Sequence, residues 1–161
     1  MSLDSDVNLL GRLSVFADLD QDHLRLLAFS AVRRELKKGE VLFQKDEAAD
    51  CGYIIASGVI DFVDETEDEP RVAASCDSGS LIGELALFVE TKRPAKAVAA
   101  MECDLIELSR ALVTRMLIEY PDAAVSVRET LTSRLQSTIG ELAAVQGRLA
   151  EIDQVGRRRR R

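Results

Sequence analysis

A glycine, a carboxylate and an arginine within one short stretch are the residues of this chain best placed to do chemistry. Gly83 and Glu84 open the run Gly83-Glu84-Leu85-Ala86-Leu87, and Arg93-Pro94-Ala95 follows a few residues later. A glycine lets backbone approach a ligand closely, and the N–H groups of a turn beginning there attract negative charge. Arginine adds a planar, charged fork matched to a phosphate. A carboxylate beside a phosphate would repel it, so Glu84 is better suited to accepting a hydrogen bond from a hydroxyl. Phosphate plus sugar hydroxyl describes a nucleotide.

Competing chemistries find little support. His23 is the single histidine and falls in a helical stretch, so neither a histidine-rich metal site nor a Ser-His-Asp or Cys-His constellation can be assembled. No enzymatic activity is expected. The acidic run Asp61, Asp64, Glu65, Glu67, Asp68 and Glu69 lacks the spacing and glycine of a calcium loop and reads as a solvated hairpin tip. Cys51, Cys76 and Cys103 are odd in number and widely spaced, as expected of reduced thiols in a cytoplasmic protein.

The elements that must hold the candidate site follow from the hydrophobic pattern. Residues 5–31 read as helices, with Leu9, Leu10 and Leu13 on one stripe and Leu24, Leu27 and Ala28 on another. Between 32 and about 110 the chain breaks into short β-rich runs: 41–43, 53–56, 59–63, 71–75, 97–101 and 105–108. Ser57-Gly58 is expected to join two strands as a tight turn, and Gly39, Gly52 and Gly79 to mark bends. Many short strands at this spacing predict a β-sandwich or jelly roll, and with the flanking helices an α+β chain.

After Pro121 the chain turns helical again. Leu131, Leu135, Thr138, Leu142, Val145, Leu149 and Ile152 alternate in steps of four and three, a heptad seam. A helix from 122 to 153 would overrun a domain of this size, so a parallel homodimer through it is expected. The alternative is a stripe packed back on its own sandwich. At 161 residues the chain forms one domain, and no apolar run approaches the roughly 20 residues a membrane span needs. Arg157 to Arg161 contribute +5 to the net charge of −7, leaving −12 on residues 1–156. That acidic body argues against an extended nucleic-acid surface.

The run Ile82-Gly83-Glu84-Leu85-Ala86-Leu87 with Arg93-Pro94-Ala95 resembles the phosphate-binding cassette of the cyclic nucleotide-binding domain family, of the catabolite activator and kinase regulatory subunit type. Lys38 to Phe43, Tyr53-Ile54-Ile55-Ala56-Ser57-Gly58-Val59-Ile60 and the approach Gly79 to Glu84 also resemble that family. The resemblance covers about residues 10–150 and implies a sensor built from N-terminal helices (1–31), a jelly roll (32–110) with its cassette at 79–97, C-terminal helices (111–155) and an arginine tail (156–161).

It further implies roles for single residues. Arg93 pairs with a cyclic phosphate, Glu84 accepts the ribose 2′-OH, and Gly83, Leu85 and Ala86 offer backbone N–H groups. Thr138 aligns with an adenine-contacting threonine, while Ile139 stands where a serine follows it. Pro94 departs from the pattern, because proline removes one possible phosphate donor. Lys96 stands where guanine-selective members carry threonine, so cAMP rather than cGMP is the expected ligand. No helix-turn-helix segment follows the long helix, so sequence-specific DNA binding is not expected, and a separate protein partner would read the signal. Two alternatives remain open here: a ligand-degenerate dimeric interaction module, and an arginine tail that binds nucleic acid or anionic membrane.

Overall fold

The protein is described by a computed structural model covering residues 2–159, apart from the side chains of 137–142 and 152–159. It opens with helix α1 (Leu3–Gly11), a 3₁₀ turn (Ser14–Phe16) and helix α2 (Gln21–Ser30). Ser2 caps α1 by accepting the Ser5 N–H, and Asp4 and Asp6 sit in the first turn, where the helix dipole favours them. Val7, Leu10, Leu24 and Leu27 form the buried stripes of these two helices.

The central part is antiparallel. One sheet has the order β1 (Val32–Leu36), β10 (Cys103–Ser109), β4 (Cys51–Ser57), β7 (Leu81–Ile82). The other runs β2 (Val41–Phe43), β9 (Lys96–Ala99), β5 (Ile60–Asp64), β6 (Arg71–Cys76). A two-stranded ladder joins β3 (Ala48–Ala49) to β8 (Thr91–Lys92). This is the expected sandwich with helices at both ends of the chain.

The central strands β4 and β10 are apolar on both faces, and the reason is visible in the packing. Tyr53, Ile55 and Leu105 point into the sandwich with Phe43, Ile60 and Ala97, whereas Ile54, Ile106 and Leu108 pack beneath the helices with Phe16, Leu27 and Met116. A strand buried on both faces reads as a continuous apolar run rather than an alternation.

Three expectations are corrected. Ser57-Gly58 makes a turn, but it carries the chain from one sheet to the other, since β4 pairs with β10 and β7 while β5 pairs with β6 and β9. Gly52 is not at a bend: it lies inside β4, where an added Cβ would stand 3.2 Å from the Leu87 side chain. The strand Val32–Leu36, absent from the predicted runs, pairs with β10 along its whole length.

Helix α3 (Arg110–Glu119) is capped by Ser109, which accepts the Leu112 N–H, and α4 runs from Pro121 to Arg159, 39 residues or about 58 Å. Pro121 suits the first position of a helix because its missing N–H would have no intrahelical partner there. The helix continues past the predicted end near 153 and into the arginine run. Ala123, Val127 and Leu131 pack on the body, beyond which Leu135, Val145 and Leu149 are 62%, 56% and 61% exposed. Among the described seam residues, only Leu131 therefore packs back on its own domain. Among the described residues no helix is long and apolar enough to cross a membrane.

Candidate functional site

Strand β7 delivers the chain to Gly83, which adopts a left-handed conformation (φ 76°) and starts a 3₁₀ turn over Glu84–Leu87. Ala86 and Leu87 are buried beneath the turn, and Leu87 reaches the core against Gly52. The Ala86 N–H donates to the Gly83 carbonyl (3.1 Å), so that donor is already engaged within the turn. Leu85 points outward and is exposed.

Arg93 comes from the strand end after β8. Its backbone is pinned on both sides, with Arg93 N–H donating to the Glu47 carbonyl and Asp46 N–H donating to the Arg93 carbonyl, both at 2.8 Å. Its side chain turns inward and is only 4% exposed. Nη2 donates to the Cys51 carbonyl (2.8 Å) and to the Cys51 Sγ (3.3 Å). Nη1 is buried and has no hydrogen-bond partner among the described residues. The guanidinium lies over the Phe43 ring, 4.5 Å from its centroid, and 5.5 Å from that of Tyr53.

Arg93 and Gly83 thus meet. A Cβ on residue 83 would fall 2.4 Å from Arg93 Nη1, so only glycine leaves that nitrogen room. No described carboxylate lies within 4.0 Å of the Arg93 guanidinium. A buried cation is costly unless paired, and ring faces, a carbonyl and a thiol compensate it only in part. Such a group is a ready receptor for an anion.

The Glu84 carboxylate forms an ion pair with Arg134 of α4. Nothing in the sequence pattern points to this tie, although Arg134 lies one turn before Thr138 on the same helix. Pro94 and Ala95 continue the chain at the edge of a cavity of about 410 Å³ that also borders Lys45, Val63 and Ala73. Lys96 is paired with Glu65 of the acidic hairpin at 2.9 Å. That hairpin forms no metal-ligand cluster among the described residues. Thr138, the expected adenine contact, has its side chain outside the described residues.

The other residues absent from the sequence reading of the site are Phe43, Cys51 and Tyr53. Burial pushes the Cys51 thiol above its ordinary value, and burial together with its hydrogen bond to that thiol raises Tyr53. Both stay neutral beside Arg93. Their strands show the inward positions, yet nothing local marks them as neighbours of an arginine some forty residues away.

The comparisons agree with this geometry. The family model for the cyclic nucleotide-binding domain matches residues 33–120, more than half of the chain. The chain belongs to that family. A cyclic nucleotide-binding-like protein from Brucella abortus shares 37% identity and a TM-score of 0.68, covering 71% of this chain and 98% of that one. The regulatory domain of Toxoplasma gondii PKA, solved with cAMP, shares 26% identity and a TM-score of 0.70 over 84% of this chain and 51% of that one. Among curated relatives, a lysophospholipase of Chaetomium globosum is 26% identical over 87% of this chain but only 9% of its own length. The chain therefore spans a small part of such relatives. Cyclic nucleotide-binding domains are typically regulatory modules, and residues 33–120 of this chain form such a domain.

Proposed function

We propose that this domain is a cAMP sensor that dimerises through α4 and signals to a separate protein partner in the cytoplasm. The observation that carries the reading is the buried Arg93 guanidinium, held at Gly83 with Nη1 unpaired and no described carboxylate beside it. A cyclic phosphate would supply the compensating charge, Gly83 and the start of the following turn would supply backbone donors, and Glu84 would accept the ribose 2′-OH. Thr138 would reach the adenine from α4.

The Glu84–Arg134 ion pair suggests how occupancy is transmitted. Arg134 is about half exposed, so the pair contributes at most about 1 kcal/mol, and a ribose hydroxyl arriving at Glu84 can alter it at little cost. Because the pair joins the cassette to α4, the ligand would bind different helix positions with different affinity, which is what a sensor requires. The exposed residues Leu135, Val145 and Leu149 would close on the same residues of a second copy.

Two expected results test the parts. With cAMP and 2′-deoxy-cAMP titrated in parallel, the unaltered protein prefers cAMP by about tenfold, the effect of roughly one hydrogen bond to a charged group. Glu84→Gln should erase most of that preference, and an undiminished preference would remove Glu84 from the ribose site. In sedimentation equilibrium the unaltered protein runs as a dimer and Leu135→Glu/Leu149→Glu as a monomer. A monomeric unaltered protein would refute the α4 interface.

A further inference from the structure

We infer that Cys51 and Phe43 are positioning residues for the anion site, holding the Arg93 fork so that Nη1 alone faces Gly83. The inference rests on the reading of Arg93 as the phosphate ligand. No described carboxylate lies within 4.0 Å of this guanidinium to take up its remaining donors. Cys51 does that work with two weaker acceptors. Its carbonyl and its sulfur both accept from Nη2, at 2.8 and 3.3 Å, which occupies the two protons of that nitrogen and leaves those of Nη1 for another acceptor.

Phe43 fixes the remaining freedom. Its ring lies 4.5 Å from Arg93 Cζ and is itself stacked on Tyr53, with centroids 6.2 Å apart and planes 28° apart. A planar cation against a ring face is favoured electrostatically and hindered from swinging away. Tyr53 supports the arrangement from behind: its hydroxyl accepts from Arg34 Nη1 at 3.2 Å. A neutral cradle of this kind orients the charge without neutralising it, so that the attraction for a phosphate is kept.

The test uses the full chain, cAMP as the probe, and the resolved side-chain NMR signals of the Arg93 guanidinium. In the unaltered protein the Nη1 and Nη2 protons should give separate signals, because rotation about Nε–Cζ is blocked. Cys51→Ala removes the sulfur and keeps the carbonyl of residue 51, so it should bring the two signals closer together and weaken cAMP binding about threefold, while Cys51→Ser, which restores an acceptor, recovers most of both. Phe43→Leu should weaken binding by about fivefold or more. Separate signals and unaltered cAMP affinity in both Cys51→Ala and Phe43→Leu, with the unaltered protein binding normally, would overturn the cradle and leave the sensor reading intact. Failure of the unaltered protein to bind cAMP would overturn the sensor reading and this inference with it.

Discussion

Arg93→Met is expected to abolish measurable cAMP binding and, at the same time, to raise the thermal unfolding midpoint of the protein without nucleotide. The first effect follows from the bonds lost. Two charge-assisted hydrogen bonds to a phosphate contribute roughly 3 to 6 kcal/mol together, so affinity falls by about a hundredfold or more. The second follows from burial. Arg93 is 4% exposed, has no described carboxylate within 4.0 Å and leaves Nη1 unpaired. Methionine fits beside Phe43 and Tyr53 without a charge to desolvate, and replacing a poorly compensated buried ion by an apolar side chain is often stabilising. For a chain of this length each kcal/mol gained shifts the midpoint by about 2 to 4 °C. A substituted protein that keeps cAMP affinity would exclude Arg93 from the site. One that melts lower would show the guanidinium to be a net structural support rather than a charge kept for a ligand.

Gly83→Ala carries the second large effect, and Gly79→Ala provides its control. Both glycines have positive φ, 76° and 91°, so an alanine at either costs about 1 to 2 kcal/mol in backbone strain. The surroundings differ. A Cβ at position 79 meets nothing within 4 Å, whereas one at position 83 stands 2.4 Å from Arg93 Nη1 and 3.3 Å from the Cys51 carbonyl. The guanidinium can swing aside, but only by leaving the orientation that faces the cassette. Comparable losses of stability in the two variants are therefore expected, with cAMP affinity reduced about a hundredfold in Gly83→Ala alone, as loss of the oriented fork implies. Equal affinities in the two would separate Gly83 from the Arg93 site.

These two positions also show what was legible in the sequence. Gly83, Glu84 and Arg93 lie in one contiguous segment, and the chemistry of their side chains is carried by the residue types themselves. The sandwich was legible for a similar reason: short apolar runs punctuated by glycine leave few other architectures. The partners of Arg93 were not legible. Phe43, Cys51 and Tyr53 reach it from strands far earlier in the chain, through a pairing of β3 with β8 that only two residues on each side define. Such short ladders carry no periodic signal. The same limit hid the strand Val32–Leu36, where Arg33 and Arg34 interrupt the apolar texture because they form ion pairs with Asp6, Asp104 and Glu107 instead of facing a core. The Glu84–Arg134 tie joins residues fifty positions apart, one in the cassette and one on the C-terminal helix, and no local pattern marks such a pair.

The most direct test of the account is calorimetric titration of the unaltered protein with cAMP. Saturable binding of one cAMP per chain, micromolar or tighter, is expected, with cGMP weaker. Absence of heat and of any thermal stabilisation with either nucleotide would contradict it.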